Sequence, residues 1–386
     1  MTRIVATRVV FPPYRYPQEE ITEAFARMGA QDPEWQALLR RLHAATRVRA
    51  RHLALPLERY EKLDGFGAAN DAFIRCALDL GEQAVRGALD AAGLEPAEVD
   101  LILSASTTGV AVPSLEARLV HRVGLRSDVK RVPVFGLGCV AGAAGLARVH
   151  DYLRAWPDHV AVLLAVELCS LTVQRDDDSV PNLVASGLFG DSAAAVVMAG
   201  AERARHLLCG GPRVVATRSR LYPDSERVMG WDIGGSGFRI VLAASVADMV
   251  DRYLGEDVRG FLADHGLAVP DVPGWICHPG GPKVLDAVRR VLDLPAGALD
   301  LTWRSLAQVG NLSSVSVLHV LQATTAERPG APGAPSLLLA LGHLSSVSVL
   351  HVLQATTAER PGAPGAPSLL LALGPGFSSE LVLLTW

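Results

Sequence analysis

Short unbroken apolar runs alternate along this chain with stretches in which apolar positions recur every three to four residues, the rhythm of strands followed by helices. Residues 3–10, RIVATRVV, predict a strand. Residues 69–92 carry a long helical pattern that stops at Gly93, a residue suited to a left-handed helix end. LILSAS (101–106), VAVLLAV (160–166) and AAAVVM (193–198) predict buried strands, and 139–154 predicts a helix among them. The rhythm then repeats. Residues 246–265 predict a helix, WICHP (275–279) ends a strand, and 283–293 predict a helix with Val284, Val288, Val291 and Leu292 on one face. Two similar α/β halves follow, 1–205 and 206–386.

The second half contains a literal repeat. LSSVSVLHVLQATTAERPGAPGAPSLLLALG occupies residues 312–342 and recurs unchanged at 344–374. Solenoid repeats diverge and stack in threes or more, so two identical copies mark a tandem duplication and no repeat fold. Only one copy can fill one slot in a globular half. Asn311 precedes the first copy and His343 the second, whereas the second copy runs directly into GPGF. The expected outcome is that the first helix docks, keeping Asn311 in place, and that the second SLLLALG strand enters the sheet. About one period of apolar chain is then left over, an aggregation liability.

Composition narrows the class without naming it. Among 386 residues, 49% are hydrophobic and 5% aromatic, enough for a large core and too apolar for a disordered chain. A net charge of -4 with interspersed Lys and Arg points to neither nucleic acid nor an anionic membrane as partner. The first residues carry charges and prolines where a signal peptide needs an apolar stretch, and no run is long enough to span a bilayer, so a cytoplasmic protein is expected. Five cysteines, at 76, 139, 169, 209 and 277, lack CxxC spacing, which argues against a disulfide framework and a zinc site.

Three residues stand out chemically. Cys139 lies in VFGLGCVAGAAG, where a glycine-rich turn runs into a helix, and a helix N-terminus favours the nucleophilic thiolate. His278 ends an apolar strand before a Pro-Gly-Gly turn, at the sheet edge where α/β proteins bind ligands. Asn311 precedes a helical pattern, where an Asn is ordinarily an N-cap. The order Cys, His, Asn also fits papain-like proteases, but their aromatic-flanked signature is missing around Cys139. GLGCVAG has GxGxxxG spacing with a cysteine inside, a poor dinucleotide loop.

VFGLGCVAGAAG, GLFGDSAAAVVM, GWICHPGGPKVLDAV, VGNLSS and GPGFSSELVLL, in this order, resemble the type III polyketide synthases, the chalcone-synthase-like branch of the thiolase superfamily. Within it, RRLHAATRVRARHL, TTGVAVPSLEAR, VELCSLT and LTWRSL are most similar to bacterial long-chain alkylpyrone and alkylresorcinol synthases. The resemblance implies an α/β, thiolase-like fold, with two pseudo-symmetric αβαβα halves forming a five-layered core, and a homodimer. It implies no metal or other cofactor, only coenzyme A thioesters as substrates.

By the same resemblance Cys139 is the nucleophile, paired as thiolate with a His278 imidazolium, and His278 with Asn311 holds the malonyl thioester oxygen during decarboxylation. Phe189 and Phe238 fall on gatekeeper positions between a coenzyme A tunnel and the reaction chamber. Gly374, Pro375, Gly376 and Phe377 match an active-site loop, and Arg40, Arg41 and Lys283 the coenzyme A mouth. Thr107, Ala111 and Cys169 fall where small side chains open an acyl tunnel, which implies a medium- or long-chain acyl-CoA starter, malonyl- or methylmalonyl-CoA extension, and an alkylpyrone or alkylresorcinol product. Two alternatives stay open: a ketoacyl synthase of the initiating type fed by an acyl carrier protein, and an inactive thiolase-fold interaction protein.

Overall fold

A computed structural model describes residues 1–30, 32–207, 211–243, 245–344 and 376–386. The first half runs β1 (Arg3–Val10), β2 (Tyr14–Pro17), α1 (Gln18–Met28), α2 (Pro33–Ala45), β3 (Ala50–Leu53), α3 (Leu57–Tyr60) and α4 (Gly65–Ala92). It continues through β4 (Leu101–Ser106), α5 (Leu115–Val123), β5 (Lys130–Phe135), α6 (Ala141–Ala155), β6 (Val160–Leu168), α7 (Val180–Leu188) and β7 (Asp191–Ala199). The second half has β8 (Arg213–Leu221), β9 (Met229–Gly234), β10 (Gly237–Leu242), α8 (Val246–Met249), α9 (Gly255–Ala263) and β11 (Gly274–Cys277). It ends with α10 (Pro282–Val291), α11 (Asp300–Val309), α12 (Ser314–Glu327), β12 (Pro335–Leu344) and β13 (Gly376–Thr385).

The main sheet has the order β11-β12-β13-β8-β1-β7-β6-β4-β5. Each half places its first strand beside its last, β1 on β7 and β8 on β13, and works outward to earlier strands. The two half-sheets join edge to edge where Arg3 of β1 pairs with Arg213 of β8. Helices α6 and α12 fill the layer between the two half-sheets, packing Val140, Leu146 and Val149 against Val315, Leu318 and Leu321. Helices α4 and α5 cover one outer face, α9 and α10 the other, which completes five layers. This is the thiolase-like architecture.

Several elements sit where the pattern puts them. β4 spans 101–106, and α4 stops at Gly93 with φ +66°. Residues 246–263 are helical but pass through a π-helical turn at Val250–Leu254. On α10 the expected face packs on the core, with Val288 and the C-cap Leu292 buried and Val284 and Val291 half-buried at its border, and Leu285 and Ala287 join it.

The duplication resolves in one respect as expected and in another not. The first copy supplies α12, directly after Asn311. The first copy also supplies the strand: β12 is Pro335–Leu344, parallel to β11 and antiparallel to β13. The second SLLLALG lies outside the described residues, and its expected place in the sheet is taken. Either choice lengthens one connection by the same amount, but the first strand gains two extra pairs, His343 with Phe377 and Leu344 with Gly376, where the second would already be turning. Deleting residues 343–374 joins Gly342 to Pro375 and restores a tight hairpin. Shortening such a connection by three to four doublings recovers about 2 kcal/mol of loop-closure entropy. The deletion variant should keep its activity and unfold at higher urea concentration than the parent chain.

Candidate active site

Cys139 lies in a single 3₁₀ turn, Gly138–Val140, that feeds straight into α6. Gly136 and Gly138, with φ +92° and +55°, supply the left-handed bends that a side chain would resist. Two further glycines set what can approach. A Cβ on Gly142 would stand 2.2 Å from the Ser314 carbonyl oxygen, so its absence lets the start of α12 close on α6. A Cβ on Gly342 would lie 3.0 Å from Cys139 Cβ, so the last residue of the first repeat copy abuts the thiol.

Cys139 and Asn311 are linked through Ser313, and Asn311 reaches the turn that follows His278; of these residues Cys139 and Ser313 border the chamber, while His278 and Asn311 are buried behind its wall. Cys139 Sγ donates to Ser313 Oγ at 3.6 Å. Ser313, held at φ +50°, donates its backbone N–H to Asn311 Oδ1 at 2.8 Å. Ser316 Oγ also donates to that oxygen, so the carboxamide is oriented with its NH₂ as the free end. Asn311 Nδ2 makes only a 3.5 Å contact with the Gly280 carbonyl, in the turn after His278. Asn311 is therefore not the N-cap of α12; Ser313 occupies that position. His278 follows β11, tied by its N–H to the Leu339 carbonyl of β12 at 2.9 Å, and its ring Nδ1 is buried without a hydrogen-bond partner.

Burial governs the electrostatics. It pushes the Cys139 thiol up to about 12, with the Glu167 carboxylate adding to the rise and Ser313 opposing it. It pushes the His278 imidazole down to about 3. Burial thus favours the neutral thiol and the neutral imidazole over the thiolate–imidazolium pair that the resemblance implies. The helix N-terminus alone does not offset the desolvation.

Glu167 escaped the sequence reading, although a lone carboxylate closing the apolar run VAVLLAV was a usable signal. It is fully buried at the end of β6, and burial raises it to about 7. Ser314 Oγ donates to it at 2.5 Å, Thr108 Oγ1 at 3.0 Å, the Thr107 N–H at 3.2 Å and Ser313 Oγ at 3.3 Å. It therefore braces both Ser313 and the chamber wall.

Cys139 opens into a chamber of about 720 Å³, bordered by Thr107, Thr108, Cys169, Thr172, Phe189 and Ser313 among others. A cleft of about 1380 Å³ lies beyond, with Thr46, Val184, Leu242, Gly280 and Lys283 on its walls. Phe189 and Met229 border both, so they form the partition. Phe238 does not. It packs among Phe66, Trp231 and Phe135 and lines a third cavity, which shares Thr108, Thr172 and Val173 with the chamber. The reason is position along the strand: Phe238, Ile240 and Leu242 share one face of β10 at successive two-residue steps and border the third cavity, the chamber and the outer cleft in turn.

The remaining expected residues divide. Thr107 and Cys169 line the chamber, whereas Ala111 packs against the core around α4 and lines none of these cavities. Lys283 borders the outer cleft, and exposed Arg41 sits one residue before its wall residue Leu42. Arg40 instead forms a two-pronged ion pair with Glu23 of α1 at 2.8 and 3.0 Å. Gly374 and Pro375 lie outside the described residues. Gly376 opens β13, and Phe377 is buried against Tyr222, its N–H donated to Ser225 Oγ at 2.6 Å.

A cysteine at a helix start, an oriented carboxamide and a two-chambered cavity divided by an aromatic ring agree with the family match. Residues 1–202 match the N-terminal domain of chalcone and stilbene synthases, and residues 213–329 match the C-terminal domain. The chain belongs to the chalcone and stilbene synthase family. It is a type III polyketide synthase, an acyl-transferring condensing enzyme. Among curated family members, a 1,3,6,8-tetrahydroxynaphthalene synthase of Streptomyces peucetius subsp. caesius is 53% identical over 385 residues, covering 100% of this chain and 93% of the relative. An alpha-pyrone synthesis polyketide synthase-like protein of Mycobacterium tuberculosis is 31% identical, covering 75% of each. The crystal structure of 1,3,6,8-tetrahydroxynaphthalene synthase from Streptomyces coelicolor A3(2), a bacterial type III polyketide synthase, superposes with a TM-score of 0.85 at 29% identity, covering 100% of this chain and 99% of that one. The expected lean toward alkylpyrone synthases is therefore the weaker likeness within the family. Among the described residues no helix is long and apolar enough to cross a membrane.

Proposed function

We propose that the enzyme condenses malonyl-CoA units, and that malonyl-CoA also primes the chain, giving 1,3,6,8-tetrahydroxynaphthalene or a product of the same type. The whole-length likeness to a synthase of that name carries the reading. The chamber supports it. Thr107, Thr108, Thr172 and Ser313 make its wall more polar than a hydrocarbon tunnel, which suits a chain with a carbonyl on every second carbon.

In this reading Cys139 attacks a thioester carbonyl, and its thiol proton passes by way of His278 to the coenzyme A sulfur, which leaves as the new sulfur–carbon bond forms. Malonyl-CoA then loses its carboxylate as carbon dioxide. The electron pair left behind becomes an enolate, whose oxygen accepts hydrogen bonds from His278 and from the free Asn311 NH₂. The enolate carbon attacks the Cys139 thioester, the sulfur departs, and the chain, longer by two carbons, is carried on coenzyme A to the next round. Phe189 and Met229 keep bulk water from the enolate. Lys283 and Arg41 meet the coenzyme phosphates.

A second reading, a medium- or long-chain acyl starter with a pyrone or resorcinol product, is favoured by the third cavity. Phe25, Met28, Leu63, Phe66 and Phe238 give it an apolar side, alongside the polar Asn70, Gln174, Arg175 and Asp176, and it lies in line with the other two along β10. Each buried methylene contributes ~0.8 kcal/mol, so a fatty tail reaching this cavity would bind well. Purified enzyme supplied with labelled malonyl-CoA, with and without decanoyl-CoA, decides. A naphthalene product from malonyl-CoA alone is expected; a requirement for the fatty thioester, with alkylated product masses, would replace the first reading with the second. We also read the protein as a homodimer formed through β5, the outermost strand of the sheet, whose Lys130–Pro133 are exposed. Light scattering should give the mass of two chains.

A further inference from the structure

The end of α7 carries Phe189, and every carbonyl there has a partner. The Phe189 N–H closes on Ala185, and the Asn311 N–H donates to the Leu188 carbonyl at 2.9 Å. Gln18 Nε2 donates to Gly187 at 2.9 Å. Arg51 Nη2 donates to Ser186 at 2.7 Å and Nη1 to Phe189 itself at 2.5 Å, while its Nε donates to Gln18 Oε1 at 2.9 Å. Returning along the same strip, the Gly190 N–H donates to the Asn311 carbonyl at 2.9 Å.

Arg51 is 2% exposed, and none of the ion pairs among the described residues includes it. The buried Asp191 carboxylate attracts it without a direct ion pair, so the guanidinium N–H groups are left to bond elsewhere. The guanidinium faces the negative end of α7 and occupies carbonyls that would otherwise be buried and unpaired. Its stem also packs beside Gly310, where a Cβ would come within 2.7 Å of the Leu188 carbonyl and 3.1 Å of Arg51 Cδ. Arg51 thus holds the partition with its guanidinium and packs its stem beside the backbone that enters Asn311.

We infer that Arg51, seated by Gln18, is a positioning residue that fixes the Phe189 partition and, through the Phe189–Asn311 strip, the backbone that carries the Asn311 carboxamide. The inference deepens the reading given under Proposed function and rests on it for the chemical roles of Phe189 and Asn311. Loosening the strip lets water reach the enolate, so decarboxylation proceeds while bond formation fails.

Two measurements on Arg51→Lys and Gln18→Ala test this. The ratio of carbon dioxide released to carbon–carbon bonds formed should rise about tenfold, because small misplacement of reacting groups costs up to ~100-fold in the productive step. A loss of folded enzyme lowers both numbers together and leaves the ratio alone. In addition, labelling of Cys139 by a bulky maleimide should accelerate several-fold relative to labelling of Cys277, which is buried in the core away from the chamber. General loosening would speed both cysteines equally. Wild-type values of both ratios in both variants would overturn the inference. If the wild-type enzyme releases no carbon dioxide from malonyl-CoA, the functional reading fails, and the cysteine-labelling ratio still judges the positioning role.

Discussion

Cys139→Ala should lower carbon–carbon bond formation by about 10⁴-fold or more, since no other group can carry the acyl chain and removal of a nucleophile typically costs on that scale. Carbon dioxide release from malonyl-CoA should survive, because the donors that hold the enolate lie on other elements. Assaying labelled carbon dioxide and labelled product in parallel checks both halves. The neutral state of the thiol gives a companion result. With the thiol near 12 and the imidazole near 3, alkylation of Cys139 by iodoacetamide in the empty enzyme should climb about tenfold per pH unit between pH 7 and 9, following the thiolate fraction. A rate already level across that range would mean that a thiolate–imidazolium pair exists before substrate arrives.

Asn311→Ala should behave oppositely. Loss of one donor to a developing oxyanion typically costs about 100- to 1000-fold, and here the loss falls on decarboxylation itself. Carbon dioxide release and product formation should therefore drop together, leaving their ratio near the wild-type value, whereas acyl transfer from a starter thioester to Cys139 continues. Asn311→Asp should be worse than Asn311→Ala, because a carboxylate there repels the enolate and withdraws the NH₂ donor while still accepting from Ser313. Trapping the acyl-enzyme by mass spectrometry separates the steps. An Asn311→Ala enzyme that decarboxylates normally would remove the carboxamide from the mechanism.

The strand–helix rhythm carried most of the fold because parallel strands buried on both faces leave unbroken apolar runs, as in LILSAS, and because Gly93 marks a helix end by its own backbone preference. The nucleophile turn was equally legible from its glycines. What escaped has specific causes. Glu167 and Arg51 act through long-range burial, and no local pattern tells a buried arginine in RVRARHL from its exposed neighbours. Phe238 was assigned to the partition from its motif, yet the face it presents depends on the register of β10 against β9, which puts it opposite Ile233 and leaves Ile240 at the chamber. The copy of SLLLALG that enters the sheet could not be read from two identical segments. The difference arises only in the residues that follow, His343 and Leu344, which extend the pairing.

Gly342 closes the first repeat copy against Cys139, and Asn311 stands just ahead of that copy. The duplicated block is thus bracketed by the catalytic neighbourhood without interrupting it. For protein engineering, the tip of the β12–β13 hairpin becomes a natural splice point, where a tag, a binding peptide or a second catalytic module could replace the extra block. Such cargo would enter the chain between Gly342, which abuts Cys139, and β13, so a fusion made there would leave both flanks of the site in their places.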